Sequence, residues 1–235
     1  MAAETGKEVF GQALVIRGNS GAFAEIVAVN NDTVAPKPKT ASFEEAAALP
    51  LVGSSAIQGL EEHIKLQSGQ KILIHGGAGG IGHIAIQLAK ALGAYVATTV
   101  KTGDMEFVKE LGADQVIDYK NQKFEGILKD FDAVYDTVGS ETANKSFQVL
   151  KRSGILVSML GQPDVALAQK YGVRAIGQMT AVTTARLNRL ASLIDGGKIK
   201  VHVDKVFPLE NVKEAFDYQQ KNRPRGKVVL RIGSS

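Results

Sequence analysis

The stretch Lys71-Ile-Leu-Ile-His-Gly-Gly-Ala-Gly-Gly-Ile-Gly82 (KILIHGGAGGIG) decides the fold. A short apolar run leads into residues 76–82, of which five are glycine. Glycine loses more backbone entropy on folding than any other residue, so this density indicates that something approaches the backbone closely. The spacing Gly77-x-Gly79-x-x-Gly82 between a strand and a helix is the fingerprint of a dinucleotide pyrophosphate site. A structural turn without a ligand is the alternative.

The sequence around this stretch alternates apolar runs with helical patterns. Strands are predicted at 71–75, 95–100, 115–117, 133–135 and 155–159, and helices at 81–92, 104–111, 125–129 and 141–150, with Asp104 and Ser140 as N-caps. Repeated β-α-β units with apolar strands are typical of a parallel sheet covered on both faces. The predicted fold class is therefore α/β, a doubly wound (Rossmann) sheet that binds its ligand beyond the carboxyl ends of the strands.

The two ends of the chain do not continue this alternation. Strands are predicted at 10–17 and 23–29, joined by the turn GNSG, followed by a capping box of Ser42 and Glu45, a short helix closed by Pro50, and a helix at about 54–66. A helix at 184–194, a strand at 201–207, a helix at 209–220 and a strand at 227–232 complete the chain. We expect both ends to form a second, small β-rich unit.

The end of the second strand indicates which dinucleotide would bind. NAD-binding proteins usually carry an acidic residue there, which binds the ribose 2′-hydroxyl. Residues 97–104 read ATTVKTGD, so Thr98, Thr99 and Lys101 offer hydroxyls and a cation to a 2′-phosphate, and Asp104 is assigned to a helix cap. This pattern favours NADP(H) over NAD. A solvated loop lysine is the alternative interpretation of Lys101.

Composition excludes several classes of function. The 235 residues are 44% hydrophobic and 22% charged, and they include no cysteine, which excludes disulfides, thiolate nucleophiles and cysteine-bound zinc. His63, His75, His83 and His202 lack metal-ligand spacing, so no metal site is predicted. No apolar run reaches the length of a membrane span and no secretory signal is present. A net charge of +4 without a dense basic run disfavours nucleic acid. We expect a cytoplasmic protein.

Several motifs in combination carry a family resemblance. The segments AAALPLVGSSAIQGL, HGGAGGIGHIAIQLAKALGA, LGADQVIDY, YDTVG and PLENVKEAF…RGKVVLRI resemble the zinc-independent quinone oxidoreductases of the medium-chain dehydrogenase/reductase superfamily, the group that includes zeta-crystallin. The resemblance covers nearly the whole chain from Gly21 onward. It implies a partial GroES-like domain at 1–45, a dinucleotide-binding domain at 46–185, and a return to the GroES-like domain at 186–235.

The resemblance also implies a reaction and a set of contacts. NADPH would reduce a quinone or the C=C bond of an α,β-unsaturated carbonyl, and the protein would form a homodimer. The residues assigned to the cofactor are Gly77, Gly79, Gly80, Ile81 and Gly82 at the pyrophosphate, Tyr119 with Thr99 and Lys101 at the 2′-phosphate, Asp136, Thr137, Val138 and Gly139 along the cofactor, and Leu160, Gly161 and Ser54 or Ser55 at the nicotinamide. An ordinary strand-end aromatic is the alternative role for Tyr119.

The chain also departs from the family pattern. The amino-terminal stretch that supplies much of the GroES-like domain in relatives is missing, so we expect either a truncated form or a partner that completes the cleft. Three functions follow: an NADPH-dependent quinone or enone reductase, an NADPH-binding protein with little turnover, or an interaction subunit. No catalytic residue is identified, since solvent can deliver the proton, and packing roles are favoured for His75 and His83.

Overall fold

The computed structural model describes residues 5–14 and 21–233. The chain divides into two units, one made of residues 1–55 and 181–235 and the other of residues 56–180. These boundaries lie within ten residues of the three segments expected from the sequence. The GroES-like identity of the first unit stays a prediction.

The secondary structure follows the expected order over most of the chain. Within the described residues the strands are β1 (Val9–Gly11), β2 (Val34–Pro36), β3 (Lys71–His75), β4 (Tyr95–Val100), β5 (Gln115–Asp118), β6 (Phe131–Asp136), β7 (Leu150–Ser158), β8 (Arg174–Gly177), β9 (Val203–Pro208) and β10 (Lys227–Arg231). The α-helices are α1 (Phe43–Ala47), α2 (Pro50–Ile57), α3 (Gly82–Ala91), α4 (Met105–Glu110), α5 (Ser140–Ser146), α6 (Val165–Tyr171), α7 (Thr184–Asp195) and α8 (Val212–Asn222).

The unit of residues 56–180 is built on a six-stranded parallel sheet in the order β5-β4-β3-β6-β7-β8. The α/β doubly wound fold is thereby confirmed. Strand order reverses between β3 and β6, which is the switch point where such sheets bind ligands. Pairing of His75 with Thr99 and of Asp136 with Ser158 aligns the carboxyl ends of neighbouring strands at one edge.

The apolar strand pattern is explained by burial on both faces of this sheet. On one face, a cluster of buried side chains includes Leu73, Ala97, Ile117, Val134 and Leu156, one from each of the five strands β3 to β7. Phenylalanines from the connecting segments cover the same cluster. Because each strand contributes an inward side chain, the sheet is rigid beneath the loops that follow it.

Helix α6 and strand β8 of this unit were not predicted from the sequence. Helix α6 is signalled by Asp164, whose side chain accepts a hydrogen bond from the Leu167 N–H at 3.0 Å, and by Gly172, which ends it in the left-handed conformation. Strand β8 is only four residues long and ends in glycine, too short for a periodic pattern. The helix predicted at 125–129 is reduced to a single 3₁₀ turn at Phe124–Gly126.

The predicted helix caps have mixed outcomes. The capping box of Ser42 and Glu45 is confirmed, with both reciprocal hydrogen bonds formed at 2.8 and 3.1 Å. Pro50 begins α2 instead of closing α1, a first-turn position where its missing N–H costs nothing. Asp104 precedes α4 without a capping hydrogen bond from its side chain, and Ser140 lies inside α5, where Gly139 takes the cap position.

The unit formed by the two ends of the chain contains two small sheets. Strands β1 and β2 pair antiparallel, and β9 and β10 pair parallel. The Thr184 hydroxyl donates to the Val34 carbonyl at 2.8 Å, and Arg231 pairs with Glu44 at 2.7 Å, so early and late segments are joined. The strand predicted at 23–29 is wrong, because that segment forms bends and is mostly exposed. Residues 15–20, including most of the GNSG turn, lie outside the described residues.

No helix among residues 5–14 and 21–233 combines the length and apolar character needed to cross a membrane.

Candidate functional site

The glycine-rich loop joins the carboxyl end of β3 to the start of α3. Gly76, one residue before the predicted spacing, has a φ of +72° and makes the turn. A Cβ on Gly77 would collide with the Thr98 hydroxyl oxygen, and one on Gly82 with the Gly76 carbonyl oxygen. Both glycines are therefore required by the packing of the loop against the protein itself.

Gly79 is the glycine of this loop that faces outward. Among the described residues, the only atom that a Cβ there would approach within 4 Å is the Gly76 carbonyl oxygen, at 3.3 Å. Apart from that one tight contact, the described residues leave the space beside its backbone open, as close approach of a pyrophosphate would require. No described side chain caps the first turn of α3, in which the His83 N–H donates to the Gly79 carbonyl oxygen at 3.1 Å. The N–H groups just before it, at the helix N-terminus, point to where an anion would bind. The His83 Nδ1 lies 2.9 Å from the Gly79 carbonyl oxygen and fixes the loop from below.

His75 lies beneath the same loop, fully buried. Its Nδ1 is 2.9 Å from the Thr99 hydroxyl, and its Nε2 is 2.9 Å from the Ser146 hydroxyl. Burial lowers the pKa of His75 to about 4, against the opposing attraction of Asp136 and Glu125. A neutral, enclosed imidazole serves to hold β3, β4 and α5 together, in agreement with a packing role.

Thr99 occupies a different place from the one the sequence suggested. It is only 4% exposed, and its hydroxyl contacts the His75 ring and accepts from the Gly76 N–H at 3.4 Å. Thr98 is also buried and donates to the Ile74 carbonyl at 2.7 Å. Both hydroxyls are therefore engaged by hydrogen bonds inside the sheet. Thr99 positions the glycine turn instead.

Lys101 and Tyr119 lie side by side just beyond β4 and β5. The pairing of Val100 with Asp118 places the two residues that follow them at the same edge, and the Tyr119 N–H donates to the Val100 carbonyl at 3.1 Å. Tyr119 is 45% exposed. The Lys101 ammonium lies 3.7 Å from the buried carboxylate of Asp104, which is thus its ion-pair partner.

Asp118 and Lys120 belong to this corner and were missed in the sequence. The Asp118 carboxylate accepts hydrogen bonds from the Thr102 hydroxyl at 2.6 Å, the Asn121 amide at 2.8 Å and the Lys120 N–H at 3.0 Å. The Thr102 hydrogen bond is the largest of the effects that lower the pKa of Asp118. The Lys120 ammonium lies 5.5 Å from the centre of the Tyr119 ring. The signal for them in the sequence is the run Asp118-Tyr119-Lys120, in which an acidic and a basic residue flank the tyrosine.

Asp136 shapes the loop after β6. Its fully buried carboxylate accepts from the Val138 N–H at 3.0 Å, the Gly139 N–H at 3.0 Å and the Ser158 hydroxyl at 2.9 Å. The Thr137 hydroxyl donates to the His75 carbonyl at 2.7 Å and so ties this loop to the glycine loop. Asp136, expected to line the cofactor, faces the interior and acts through the backbone that it holds.

Apolar side chains lie along the carboxyl ends of β6, β7 and β8. Val138 is 47% exposed, Leu160 is 62% exposed, and Met179, which follows β8 and was missed in the sequence, is 89% exposed. Gly139 has a φ of +80° and lies against Leu160, where a Cβ would come within 2.8 Å of the leucine Cβ. At Gly161 a Cβ would meet no described atom within 4 Å. This edge offers an open apolar surface to a flat ring.

Ser54 and Ser55 lie on α2 in the other unit, and both are fully buried. The Ser55 hydroxyl donates to the Leu51 carbonyl at 2.8 Å, which engages it within the helix. The Ser54 hydroxyl has no hydrogen-bond partner among the described residues. A buried polar atom without a partner is uncommon, and the nicotinamide contact expected of Ser54 or Ser55 stays a prediction.

The residues after β3, β4, β5, β6 and β7 form a site whose chemistry suits a dinucleotide. An open glycine loop at a helix N-terminus suits a pyrophosphate, a lysine-tyrosine corner suits a phosphate monoester, and an apolar edge suits a nicotinamide ring. Among residues 5–14 and 21–233 no group of three or more histidine, aspartate or glutamate side chains is arranged to hold a metal ion.

Comparison with known proteins gives concordant results. Residues 111–230 match the family described as zinc-binding dehydrogenase. The chain is 40% identical over 233 residues to the 2-methylene-furan-3-one reductase of Solanum lycopersicum, an alignment that covers 96% of this chain and 57% of that protein. The chain thus spans little more than half the length of this relative.

Two solved structures are closely similar in fold. The quinone oxidoreductase from Coxiella burnetii has a TM-score of 0.90 and 32% identity, over 98% of this chain and 74% of that one. The Escherichia coli quinone oxidoreductase complexed with NADPH has a TM-score of 0.85 and 29% identity, over 98% of this chain and 76% of that one.

Proposed function

The chain belongs to the zinc-binding dehydrogenase family of the medium-chain dehydrogenase/reductase superfamily, and we propose that it uses NADPH to reduce a quinone or the C=C bond of an α,β-unsaturated carbonyl. The observation that carries the proposal is the glycine loop, in which Gly77 and Gly82 are required by packing and a Cβ on Gly79 would meet one described atom, the Gly76 carbonyl oxygen. The similarity to an NADPH-bound quinone oxidoreductase and to an enone reductase supports this choice of cofactor and acceptor.

The residues that would hold the cofactor come from successive loops of the sheet. Gly80, Ile81 and Gly82 would bind the pyrophosphate through their N–H groups, beside Gly79, whose own N–H donates to the Gly76 carbonyl oxygen at 3.0 Å. Lys101 and Tyr119 would flank the 2′-phosphate. The rest of the cofactor would be lined by Thr137, Val138, Gly139, Leu160 and Gly161. Thr99 and Asp136 would support these loops from inside. Ser54 at the nicotinamide stays a prediction.

The protein's contribution to the reaction would be orientation and exclusion of water. When bound, NADPH supplies the hydride, which adds to the electron-poor carbon of the acceptor, and a proton from solvent completes the reduction. The exposed side chains of Val138 and Leu160 would pack against flat rings and keep water away from them. No metal ligand set is needed for this reaction, in keeping with a chain that has no cysteine.

The direct test is NADPH oxidation by the 235-residue chain, offered an ortho-quinone or a 2-alkenal, with NADH as the comparison. Turnover with NADPH and little with NADH is expected. If the folded chain binds NADPH without turnover, it is a binding protein and the reductase proposal fails. If it assembles into a defined oligomer but binds no dinucleotide, an interaction subunit is the better description.

Two matched glycine variants test whether NADPH binds at the glycine loop. Gly79→Ala adds a methyl group whose one described neighbour within 4 Å is the Gly76 carbonyl oxygen at 3.3 Å, and it should raise the NADPH Kd at least tenfold with a small loss of stability. Gly126→Ala, on an exposed turn where a Cβ meets no described atom within 4 Å, should leave both unchanged. Equal binding by both variants would show that the pyrophosphate does not lie at Gly79.

Two further expectations concern the whole protein. We propose that it is a homodimer and that it is cytoplasmic. Light scattering at several concentrations and fractionation of the source cells would test them.

A further inference from the structure

We propose that Lys120, and not Lys101, supplies the positive charge that selects NADPH over NADH, with the Tyr119 ring as its support. The inference rests on the proposed function and adds to it a specificity-determining residue that follows β5. The sequence had favoured Lys101 because it stands at the end of β4.

The charge of Lys101 is already offset within the protein. Its ammonium lies 3.7 Å from the Asp104 carboxylate, whose side chain is only 8% exposed. A partly buried ion pair is screened little by solvent, so Lys101 adds little net charge to the corner. The pair is also short-range in sequence, which fixes the lysine against the start of α4.

Lys120 is in the opposite situation. Its side chain is exposed, and its ammonium lies 5.5 Å from the centre of the Tyr119 ring. The neighbouring acid, Asp118, accepts hydrogen bonds from Thr102, Asn121 and the Lys120 main chain, and no ion pair within 4 Å joins it to the Lys120 ammonium among the described residues. Attraction to the Lys120 charge is the smallest of the effects that lower the pKa of Asp118. A cation held over an aromatic face keeps its charge available to an anion.

The neighbouring ends of β4 and β5 bring Lys120 close to the proposed 2′-phosphate site. Tyr119 is locked beside the end of β4 by the hydrogen bond from its N–H to the Val100 carbonyl, 3.1 Å long. The ring that flanks the proposed 2′-phosphate site is therefore the same ring over which the lysine ammonium lies. A phosphate monoester carries nearly two negative charges, so an ammonium that is not held in a close ion pair discriminates strongly in its favour over a plain hydroxyl.

The test is the ratio of the dissociation constants of NADPH and NADH, measured by titration of the dinucleotide's fluorescence in a chain that has no tryptophan. Lys120→Met should raise the NADPH Kd about tenfold and change the NADH Kd less than twofold. Lys101→Met should raise the NADPH Kd less than threefold. Lys123→Met, on the same exposed loop, is the matched control and should change neither constant.

Tyr119 variants test the role of the ring. Tyr119→Phe should keep most of the preference for NADPH over NADH that we assign to Lys120. Tyr119→Leu should lose this preference, because a leucine offers no aromatic face. A larger effect from Lys101→Met than from Lys120→Met would overturn the inference while the cofactor site stands. If the folded wild-type chain binds neither dinucleotide, the proposed function and the inference both fail.

Discussion

At the scale of single residues, the side chains beneath the glycine loop stabilise it through hydrogen bonds to the protein itself. His75, Thr99 and Ser146 form a continuous buried hydrogen-bonded set, and His83 fixes Gly79. Such networks are costly to break. A buried polar group left without a partner has given up its hydrogen bonds to water and no longer has the protein hydrogen bond that offset this loss. Their presence explains why hydroxyls that look suited to a phosphate in the sequence are directed inward.

The buried imidazole predicts a pH dependence of stability. The unfolded chain takes up a proton at His75 below about pH 6.5, whereas the native protein does so only near pH 4. The free energy of unfolding should therefore fall as pH decreases from 6.5 to 4, by about 3 kcal/mol from this residue. Urea denaturation of wild type and His75→Asn at several pH values measures it.

The quantity to compare is the slope of the free energy of unfolding against pH, because His75→Asn will be less stable than wild type at every pH. His75→Asn should flatten the dependence between pH 6.5 and 4. His63→Asn, at a half-buried position, should keep the wild-type slope. Identical slopes for wild type and His75→Asn would contradict the assignment of a neutral buried imidazole.

At the scale of elements, the loops after β6 and β7 form one structure through Asp136. Its carboxylate joins two N–H groups of the β6 loop to the Ser158 hydroxyl at the end of β7. The adjacent Gly139 lies against Leu160 in a conformation that favours glycine. The exposed apolar edge therefore depends on one buried acid.

Replacing Asp136 should lower both the stability of the protein and its affinity for NADPH. Asp136→Ala leaves three donors without an acceptor, two of them buried, and we expect a loss of about 2–3 kcal/mol in the free energy of unfolding. The NADPH Kd should rise at least threefold because Val138 and Leu160 lose their positions. Chemical denaturation and fluorescence titration measure the two effects.

A surface acid provides the control for this prediction. Asp217→Ala removes an exposed pair with Lys221 on α8 and should change stability by less than about 0.5 kcal/mol. If Asp136→Ala were equally mild, the loop would be held by other contacts, and the role assigned to Asp136 would be wrong.

At the scale of the whole molecule, the sheet order brings distant segments to one edge. The loops after β3, β4, β5, β6 and β7 are separated by up to 84 residues in sequence, from 76 to 160, and all belong to the unit of residues 56–180. Only a parallel sheet places every strand's carboxyl end on the same side.

This arrangement predicts where NADPH protects the backbone. In hydrogen-exchange mass spectrometry, added NADPH should slow exchange most at residues 76–84, 100–102, 119–121, 137–139 and 160–162. Strand β10 of the other unit serves as the internal reference and should change least. Protection concentrated at residues 203–231 would place the cofactor elsewhere and contradict the site.

The sequence by itself determined the sheet and the position of the loop that binds the proposed cofactor. Strands β3 and β4 were predicted to the residue, and the glycine spacing located the turn, because apolar periodicity and backbone freedom are local properties of the chain. The parallel sheet also followed from the alternation of strands and helices.

The tertiary structure decided which side chains face the site. Thr99 and Asp136 turned inward, Asp104 became the partner of Lys101, and Lys120 emerged beside Tyr119. These outcomes depend on which strand lies beside which, and on pairings between residues far apart in sequence. A side chain's direction and its charge partner are set by the neighbours that folding brings to it, and local sequence does not contain them.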